Sequence, residues 1–130
     1  MPNRMQWDPS YSVGDQALDD QHRNILARCD ALADCVADTG AEGDREFQHI
    51  FDELMALARE HFATEEAHLA ARGHPLLDEL KHEGEEYEYL AAEIVTTENF
   101  DRLELQRFLS LWWIGHIVEA ANRHRAHFEK

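Results

Sequence analysis

Apolar residues recur along this chain at the spacing of amphipathic helices, in four long segments separated by short breaks. Side chains three and four residues apart share one face of a helix, because each residue advances the helix by about 100°. The pattern predicts helices over about residues 15–38, 44–71, 76–95 and 101–127. No segment shows the alternation that is typical of a strand. We therefore expect an all-α protein.

The breaks between these helices are short, near residues 40–43, 72–75 and 96–99. Short connections place consecutive helices side by side and antiparallel. The expected architecture is an antiparallel up-down-up-down four-helix bundle over residues 15–130. Residues 1–14 are expected to form an N-terminal arm, since Pro2, Pro9 and Gly14 disfavour a helix there.

Length and charge limit the classes of function. The chain has 130 residues, 27 of them acidic and 12 basic, for a formal charge of −15. The acidity argues against nucleic acid and anionic membranes as partners, because both require a basic surface. No apolar run reaches the roughly 18–20 residues that span a bilayer, and no signal-peptide core is apparent. We expect a cytoplasmic monomer in which Cys29 and Cys35 stay reduced.

Nine histidines are many for this length, and three of them fall on inward-facing stripes of different predicted helices. They are His22 on the first helix, His61 on the second and His116 on the fourth. Glu65 follows His61 by four residues and shares its face. Burying three imidazoles and a carboxylate is costly without a compensating partner. A metal ion is the simplest such partner, since neutral imidazole and ionised carboxylate both coordinate it.

Short segments around these residues occur in a recognisable order: Val13-Gly14, Leu18-Asp19-Asp20-Gln21-His22, Arg59-Glu60-His61-Phe62-Ala63-Thr64-Glu65-Glu66, Gly73-His74-Pro75, and Trp112 four residues before His116-Ile117. Together they resemble the bacterial hemerythrins over nearly the whole chain. The resemblance implies a four-helix bundle that holds two non-haem irons through five histidines and two bridging carboxylates and binds O2 reversibly. Of that ligand set, His22, His61, Glu65 and His116 match by position.

Three positions depart from the family pattern. The family has two histidines, in an H-x-x-x-H word, on the third helix and an aspartate five residues after the last helix histidine. This chain has Leu80, Gly84 and Ala121 at those positions. A two-residue insertion would instead bring His82 and Glu86 to the third-helix positions. The apolar stripe through Leu80 and Gly84 disfavours this shift, because it places His82 on the opposite side of the helix.

Other side chains offer replacements for the missing ligands. His68 follows Glu65 by three residues, the E-x-x-H spacing of di-metal carboxylate proteins, and should lie near the level of Leu80 in an antiparallel bundle. Glu119 follows His116 by three residues, and Glu83 lies at the edge of the third-helix stripe. One hypothesis is a rearranged di-metal site of His22, His61, Glu65, His68, His116 and Glu119, with Glu83 as an additional ligand. The alternative is a degraded site that has lost ligands and binds a single metal ion, in which His68 and Glu119 only fill the boundary of the core.

Three functions fit this sequence. The first is hemerythrin-like binding of O2, or of another diatomic such as NO, at a non-haem di-iron centre. The second is an oxidase or peroxidase, since added carboxylate ligands favour the ferric state and Gly84 leaves room for an open coordination position. The third is a metal-sequestering bundle without redox chemistry. Histidine and carboxylate also suit Mn and Zn, so the sequence leaves the metal and the number of ions open.

Overall fold

The computed structural model of the chain contains four long helices, preceded by a short 3-10 turn at Pro9–Tyr11. The helices are α1 (Gln16–Val36), α2 (Ala41–Ala71), α3 (Leu77–Thr96) and α4 (Arg102–Arg123). The structure describes residues 4, 6–36, 40–73, 75, 77–96 and 101–123, apart from the side chains of residues 94–96 and 123. These residues include no strand, which confirms the predicted all-α class.

Each helix packs against two neighbours. α1 lies against α2 and α4, and α3 also lies against α2 and α4. The connections are too short to cross the bundle, so sequential neighbours run antiparallel. The predicted up-down-up-down four-helix bundle is confirmed. Over the described residues, none of the helices has both the length and the apolar character needed to cross a membrane.

Local caps explain where the helices begin and end. Asp15 precedes α1, and its carboxylate accepts a hydrogen bond from the N–H of Leu18 at 3.0 Å. Asp101 precedes α4 and accepts from the N–H of Leu103 at 2.8 Å. Gly73, just beyond α2, has a φ of 59°, a left-handed conformation that favours glycine at a helix end.

Some predicted boundaries differ from those observed. The break expected over residues 40–43 is shorter, because α2 begins at Ala41. Gly43, which was expected to interrupt the helix, is buried in its first turn. α3 continues to Thr96, where a break was predicted. The predicted ends of the first and fourth helices, at residues 38 and 127, lie outside the described residues.

Two apolar clusters fill the bundle, with a polar layer between them. The larger draws on all four helices and includes Ile25, Leu54, Tyr87 and Trp113. The smaller includes one residue of the arm, and its buried members are Val13, Leu18, Leu69, Leu80 and Ala120. Four buried polar residues separate the clusters along α1, α2 and α4, namely His22, His61, Glu65 and His116. The bundle therefore brings the candidate ligands to one level.

The described part of the N-terminal arm is attached to the start of α1. Asp19, which is buried there, accepts hydrogen bonds from the hydroxyl of Ser12 at 2.6 Å and from the N–H of Val13 at 2.9 Å. Val13 is fully buried. Nearer the N-terminus, the ring of Trp7 also contacts α1, with the guanidinium of Arg23 4.6 Å from its centre. These contacts hold the arm against the helix that carries His22.

Candidate metal centre

Four buried side chains from three helices bring their metal-binding atoms together in the polar layer. They are His22, His61, Glu65 and His116, and one ligand atom from each lies within 4.8 Å of all the others. His116 is 5 % exposed, and the other three are at most 1 % exposed. These are the residues that the sequence placed on inward-facing stripes of three helices.

The atoms that meet are imidazole nitrogens and one carboxylate oxygen. Nε2 of His61 lies 2.9 Å from Nε2 of His22 and 3.3 Å from Nε2 of His116. Oε1 of Glu65 lies 2.7 Å from Nε2 of His116 and 3.8 Å from Nε2 of His22, and it also contacts Nε2 of His61. Ligand atoms about 2.1 Å from one cation are separated by roughly 3.0–3.4 Å when the angle between them is about 90–110°. The four atoms lie close enough together to bind a single ion after small adjustments of the side chains.

The opposite nitrogens of two rings are hydrogen bonded away from the cluster. Nδ1 of His61 lies 2.9 Å from Oε1 of Gln21, and Nδ1 of His116 lies 2.7 Å from Oε1 of Glu83. Both oxygens are acceptors, so each Nδ1 carries a proton and donates it. Such a bond fixes the orientation of an imidazole and leaves its Nε2 available to a metal.

Gln21 is oriented by a chain of hydrogen bonds. The hydroxyl of Thr64 donates to the carbonyl of Glu60 at 2.9 Å, and its oxygen accepts from the amide nitrogen of Gln21 at 3.0 Å. The amide oxygen of Gln21 therefore faces His61. Sequence reasoning gave Gln21 no role, although it stands directly before His22 in one of the family-like segments.

Two atoms of the cluster are buried without a hydrogen-bond partner among the described residues. They are Nδ1 of His22 and Oε2 of Glu65. A buried polar group left unpaired costs roughly 1–3 kcal/mol. A cation beside Glu65 would compensate its carboxylate, so the residues present fit a metal ion.

Without a metal, the four groups hold protons unevenly. Burial lowers the pKa of His22 below its ordinary value, and it lowers the pKa of His61 well below that value. Burial opposes ionisation of Glu65, but His61 and His116 outweigh it and hold the pKa of that carboxyl well below its usual value. Burial also opposes the charge on His116, yet Glu65 and Glu83 raise its pKa to about 10. A proton on His116 thus balances Glu65, and a bound cation would displace it.

Two side chains predicted as relocated ligands lie apart from this group. The ring of His68 is partly exposed, with Nε2 3.9 Å from the carboxylate of Asp15 and Nδ1 3.4 Å from the guanidinium of Arg72. Among the described residues, the ligand atoms that lie within 4.8 Å of one another belong to His22, His61, Glu65 and His116, and His68 is not among them. Glu119 lies on the exposed side of α4. The structure therefore does not assemble the rearranged ligand set.

Glu83 reaches the cluster, but at the wrong nitrogen for a ligand. Its carboxylate binds Nδ1 of His116, whereas the cluster forms around Nε2. The Glu83 side chain is 32 % exposed, so it links the buried ring to the surface. In place of the expected additional ligand, the structure shows a residue that orients His116.

α3 brings no other ligand-type side chain to the group within the described part of the chain. Leu80 is 3 % exposed and Gly84 is buried, so both face the interior. The side chain of His82 is 83 % exposed, and Glu86 is also exposed. The unshifted register of the third helix is confirmed, and the alternative with His82 and Glu86 as ligands is wrong.

Aromatic rings form a wall beside the cluster. Trp112 stacks on His116, with ring centres 5.3 Å apart and planes at 10°. Trp113 lies edge-on to His61 and His116 at 5.7 and 5.5 Å, and its Nε1–H donates to the hydroxyl of Tyr87 at 3.0 Å. Trp112 stands one turn before His116 on α4, and Trp113 is the next residue. The structure shows that Trp113 is the fully buried one and that Trp112 is half-buried.

Comparison with known proteins adds one match. A family model described as the hemerythrin HHE cation-binding domain matches residues 13–129. No curated protein and no solved structure matches the chain. The matched segment includes all four helices and every residue of the cluster.

Proposed function

The chain belongs to the hemerythrin HHE cation-binding family, and from that premise we propose that it binds O2, or a related neutral diatomic such as NO, at one iron ion. His22, His61, Glu65 and His116 would hold this ion. The iron supplies the electron density that reversible binding of a diatomic requires. The chain is a hemerythrin-like cation-binding domain with a buried cluster of three histidines and one glutamate.

One observation carries the proposal, which is that four ligand atoms converge in a closed interior. Three of them are Nε2 atoms, and two of those rings are oriented from behind by Gln21 and Glu83. The second oxygen of Glu65 has no other partner in the described part of the chain. Polar groups arranged in this way have a large unfavourable burial energy, which coordination removes.

The described residues provide ligands for one ion, whereas the family resemblance led us to expect two irons. The three positions that would complete a second site hold Leu80, Gly84 and Ala121, and all three are buried. None of these side chains can coordinate a metal. We therefore propose a mononuclear centre, with His68 and Glu119 outside it.

The ligand set favours binding of a diatomic over oxidation of a substrate. Three neutral imidazoles and a single carboxylate would place only one negative charge beside the ion, which favours the ferrous state over what a carboxylate-rich ligand set would give. Iron can take more than four ligands, so an iron ion held by these four side chains would keep a coordination position for the diatomic. The oxidase or peroxidase alternative rested on added carboxylates and on the space left by Gly84; of these, Glu119 lies outside the group, whereas Gly84 is buried beside it.

Metal analysis of protein purified without added metal tests this proposal. We expect close to one iron per chain, and an absorption band that appears when O2 is added to the ferrous protein and disappears when O2 is removed. His61→Ala should abolish metal binding. His68→Ala and Glu119→Ala are the matched controls and should leave both the metal content and the band unchanged.

Two outcomes would contradict the proposal in different ways. Two metal ions per chain, with a loss of one in His68→Ala or Glu119→Ala, would establish the rearranged di-metal site. A colourless protein that holds only zinc would support sequestration without redox chemistry. Circular dichroism of each variant checks that the helical content is retained.

A further inference from the structure

A groove of about 330 Å³ lies on the surface between α2 and α3. Phe62, Leu80 and Gly84, which are buried, form its floor. Charged side chains form its rim, among them Arg59 and Lys81. Two of the floor residues occupy the third-helix positions where the family resemblance led us to expect histidines. The groove therefore lies where ligands are missing.

The ring of Phe62 touches both the groove and the cluster. Its centre lies 5.8 Å from the ring of His61 and 5.8 Å from the ring of His116. It also stacks on Trp113 at 5.5 Å, with the planes at 22°. The same side chain lines the groove. One phenyl ring thus separates the groove from two of the proposed ligands.

Gly84 makes this position of the ring possible. A Cβ atom at Gly84 would lie 3.2 Å from Cγ of Phe62, which is closer than side chains normally approach one another. The ring is therefore placed against the backbone of α3 on one side and against Trp113 on the other. Rotation of a single ring takes far less rearrangement than separation of two helices, so Phe62 is the element of the floor that can open.

We propose that this groove is the access route of a small neutral ligand to the centre and that Phe62 is its gate. The inference rests on the proposed function, because the ligand is the diatomic that the centre would bind. A neutral molecule suits the route better than an anion does. The rim also carries Glu66, Glu85 and Glu88, and the floor is apolar and aromatic.

Quenching of tryptophan fluorescence by O2 tests the route without iron, because O2 quenches an excited indole only on close encounter. Trp113 is fully buried directly behind Phe62. The full-length protein is loaded with zinc, which does not absorb visible light, and carries Trp7→Phe. It also carries Trp112→Phe, because the rings of Trp112 and Trp113 lie 4.9 Å apart and would exchange excitation energy. The tryptophan emission then comes from Trp113 alone. The O2 quenching constant is obtained from fluorescence lifetimes.

Phe62→Ala should raise this quenching constant threefold or more. Phe62→Leu should give a smaller increase, and it keeps the test decisive if the alanine variant does not fold. Gly84→Ala should lower the constant at least twofold, because the added methyl group confines the ring.

Two matched controls separate a gate from general loosening. Phe51→Ala removes the same side chain from the core three turns earlier in α2. Gly115→Ala makes the same change on α4, where a Cβ meets nothing within 4 Å. Both should leave the quenching constant within error of its original value. No increase in Phe62→Ala and Phe62→Leu, or an equal increase in Phe51→Ala, overturns the gate.

The proposed function and the access route can fail separately. If the quenching constant changes as expected but the ferrous protein does not bind O2, the function is wrong and the route stands. If the ferrous protein binds O2 while none of the floor variants changes the quenching constant, the function stands and the ligand enters elsewhere. Where both hold, the rate of O2 binding should follow the same order of variants.

Discussion

At the scale of single residues, the hydrogen bonds behind the histidines matter as much as the ligand atoms. Glu83 and Gln21 each accept from an Nδ1–H and so turn an Nε2 towards the cluster. His22 has no such partner in the described part of the chain. The two supported rings are therefore the ones whose direction is fixed before a metal arrives, which lowers the cost of ordering them on binding.

Glu83→Gln tests this support, since it keeps the shape of the side chain and removes its charge. We expect affinity for the metal to fall by about 10- to 100-fold, the usual effect of losing such a partner. In the metal-free protein the pKa of His116 should fall below its value of about 10, because the carboxylate helps to raise it. Competition with a chelator measures the affinity, and NMR titration measures the pKa.

The control for this variant is Glu85→Gln. Glu85 is on the same helix, and its side chain is 77 % exposed. That change should leave both quantities where they were. An unchanged affinity in Glu83→Gln would mean that the carboxylate contributes nothing to the centre beyond its contact with His116.

At the scale of helices, the repeat of apolar residues predicted four elements and the inward direction of three histidines. A helical repeat fixes the azimuth of a side chain well, and this is why His22, His61 and His116 could be found from the sequence. It does not fix which residues of different helices lie at one level. His68 has a suitable azimuth, but its partly exposed ring lies beside Asp15 and Arg72. The position of this ring relative to the cluster could not be predicted from the sequence, because it depends on how the helices pack.

Sequence periodicity also could not predict whether a residue at the edge of an apolar stripe faces the interior or the solvent. Glu83 lies beside the inward face of α3, and from there it reaches the outer nitrogen of His116. Glu119 has a similar offset on α4 and is exposed. Which of two adjacent tryptophans is fully buried likewise depends on how the neighbouring helices pack.

The junction of the arm with α1 gives a prediction at this scale. Asp19→Ala removes the acceptor for Ser12 and leaves the N–H of Val13 buried without a partner. We expect a loss of roughly 1–3 kcal/mol in the free energy of unfolding, with a fall in Tm of roughly 3–5 °C per kcal/mol. Thermal unfolding followed by circular dichroism measures the change.

Asp20→Ala is the matched control for the arm. Asp20 is the next residue of α1, and its side chain is 54 % exposed and pairs with Arg23 at the surface. Such pairs contribute little, so Tm should change by no more than about 1–2 °C. Equal shifts in the two variants would mean that the hydrogen bonds from the arm do not stabilise the fold.

At the scale of the whole molecule, the four residues of the cluster form a buried polar layer between two apolar parts of the core. The stability of the bundle is therefore linked to what occupies that layer. An ion that binds only the folded chain stabilises it by about 4 kcal/mol when its concentration is a thousandfold above Kd.

Removal of the metal should accordingly lower Tm, and restoring the metal should raise it in a concentration-dependent manner. His61→Ala should melt at the same temperature with and without metal. His68→Ala should retain the full difference, since its ring lies apart from the cluster. A metal-dependent rise in the Tm of His61→Ala would place the ion elsewhere. Calorimetry in chelator and in added metal measures these values.

The metal-free chain should be most stable near pH 6.5. Burial lowers the pKa values of His22 and His61 from 6.5, so below that pH the unfolded chain binds protons that the folded chain does not. Stability therefore falls as the pH is lowered. The pKa of His116 is raised to about 10, so between 6.5 and 10 the folded chain keeps a proton that the unfolded chain loses. Stability then falls as the pH is raised.

Denaturant unfolding in chelator measures the free energy of unfolding across this pH range, and so both the decline below pH 6.5 and the decline above it. His116→Gln should remove the decline between pH 6.5 and about 9 and leave the decline in acid. Above pH 9 the buried thiol of Cys29, whose pKa is raised to about 12, still makes stability fall as the pH rises. A stability that rises steadily from pH 6.5 to 10 would show that His116 is not the charged member of the cluster.

The aromatic wall has a consequence for the ageing of the protein. Trp112 stacks on His116, and Trp113 donates to Tyr87, so indole and phenol rings surround the place where oxygen chemistry would occur. Such rings are among the side chains most readily attacked by radicals. If the centre binds O2 as proposed, a reactive species that escapes it would be trapped there as hydroxylated tryptophan or tyrosine. Peptide mapping by mass spectrometry would then measure the fraction of these rings that is oxidised, which records how often a reactive species has escaped the centre.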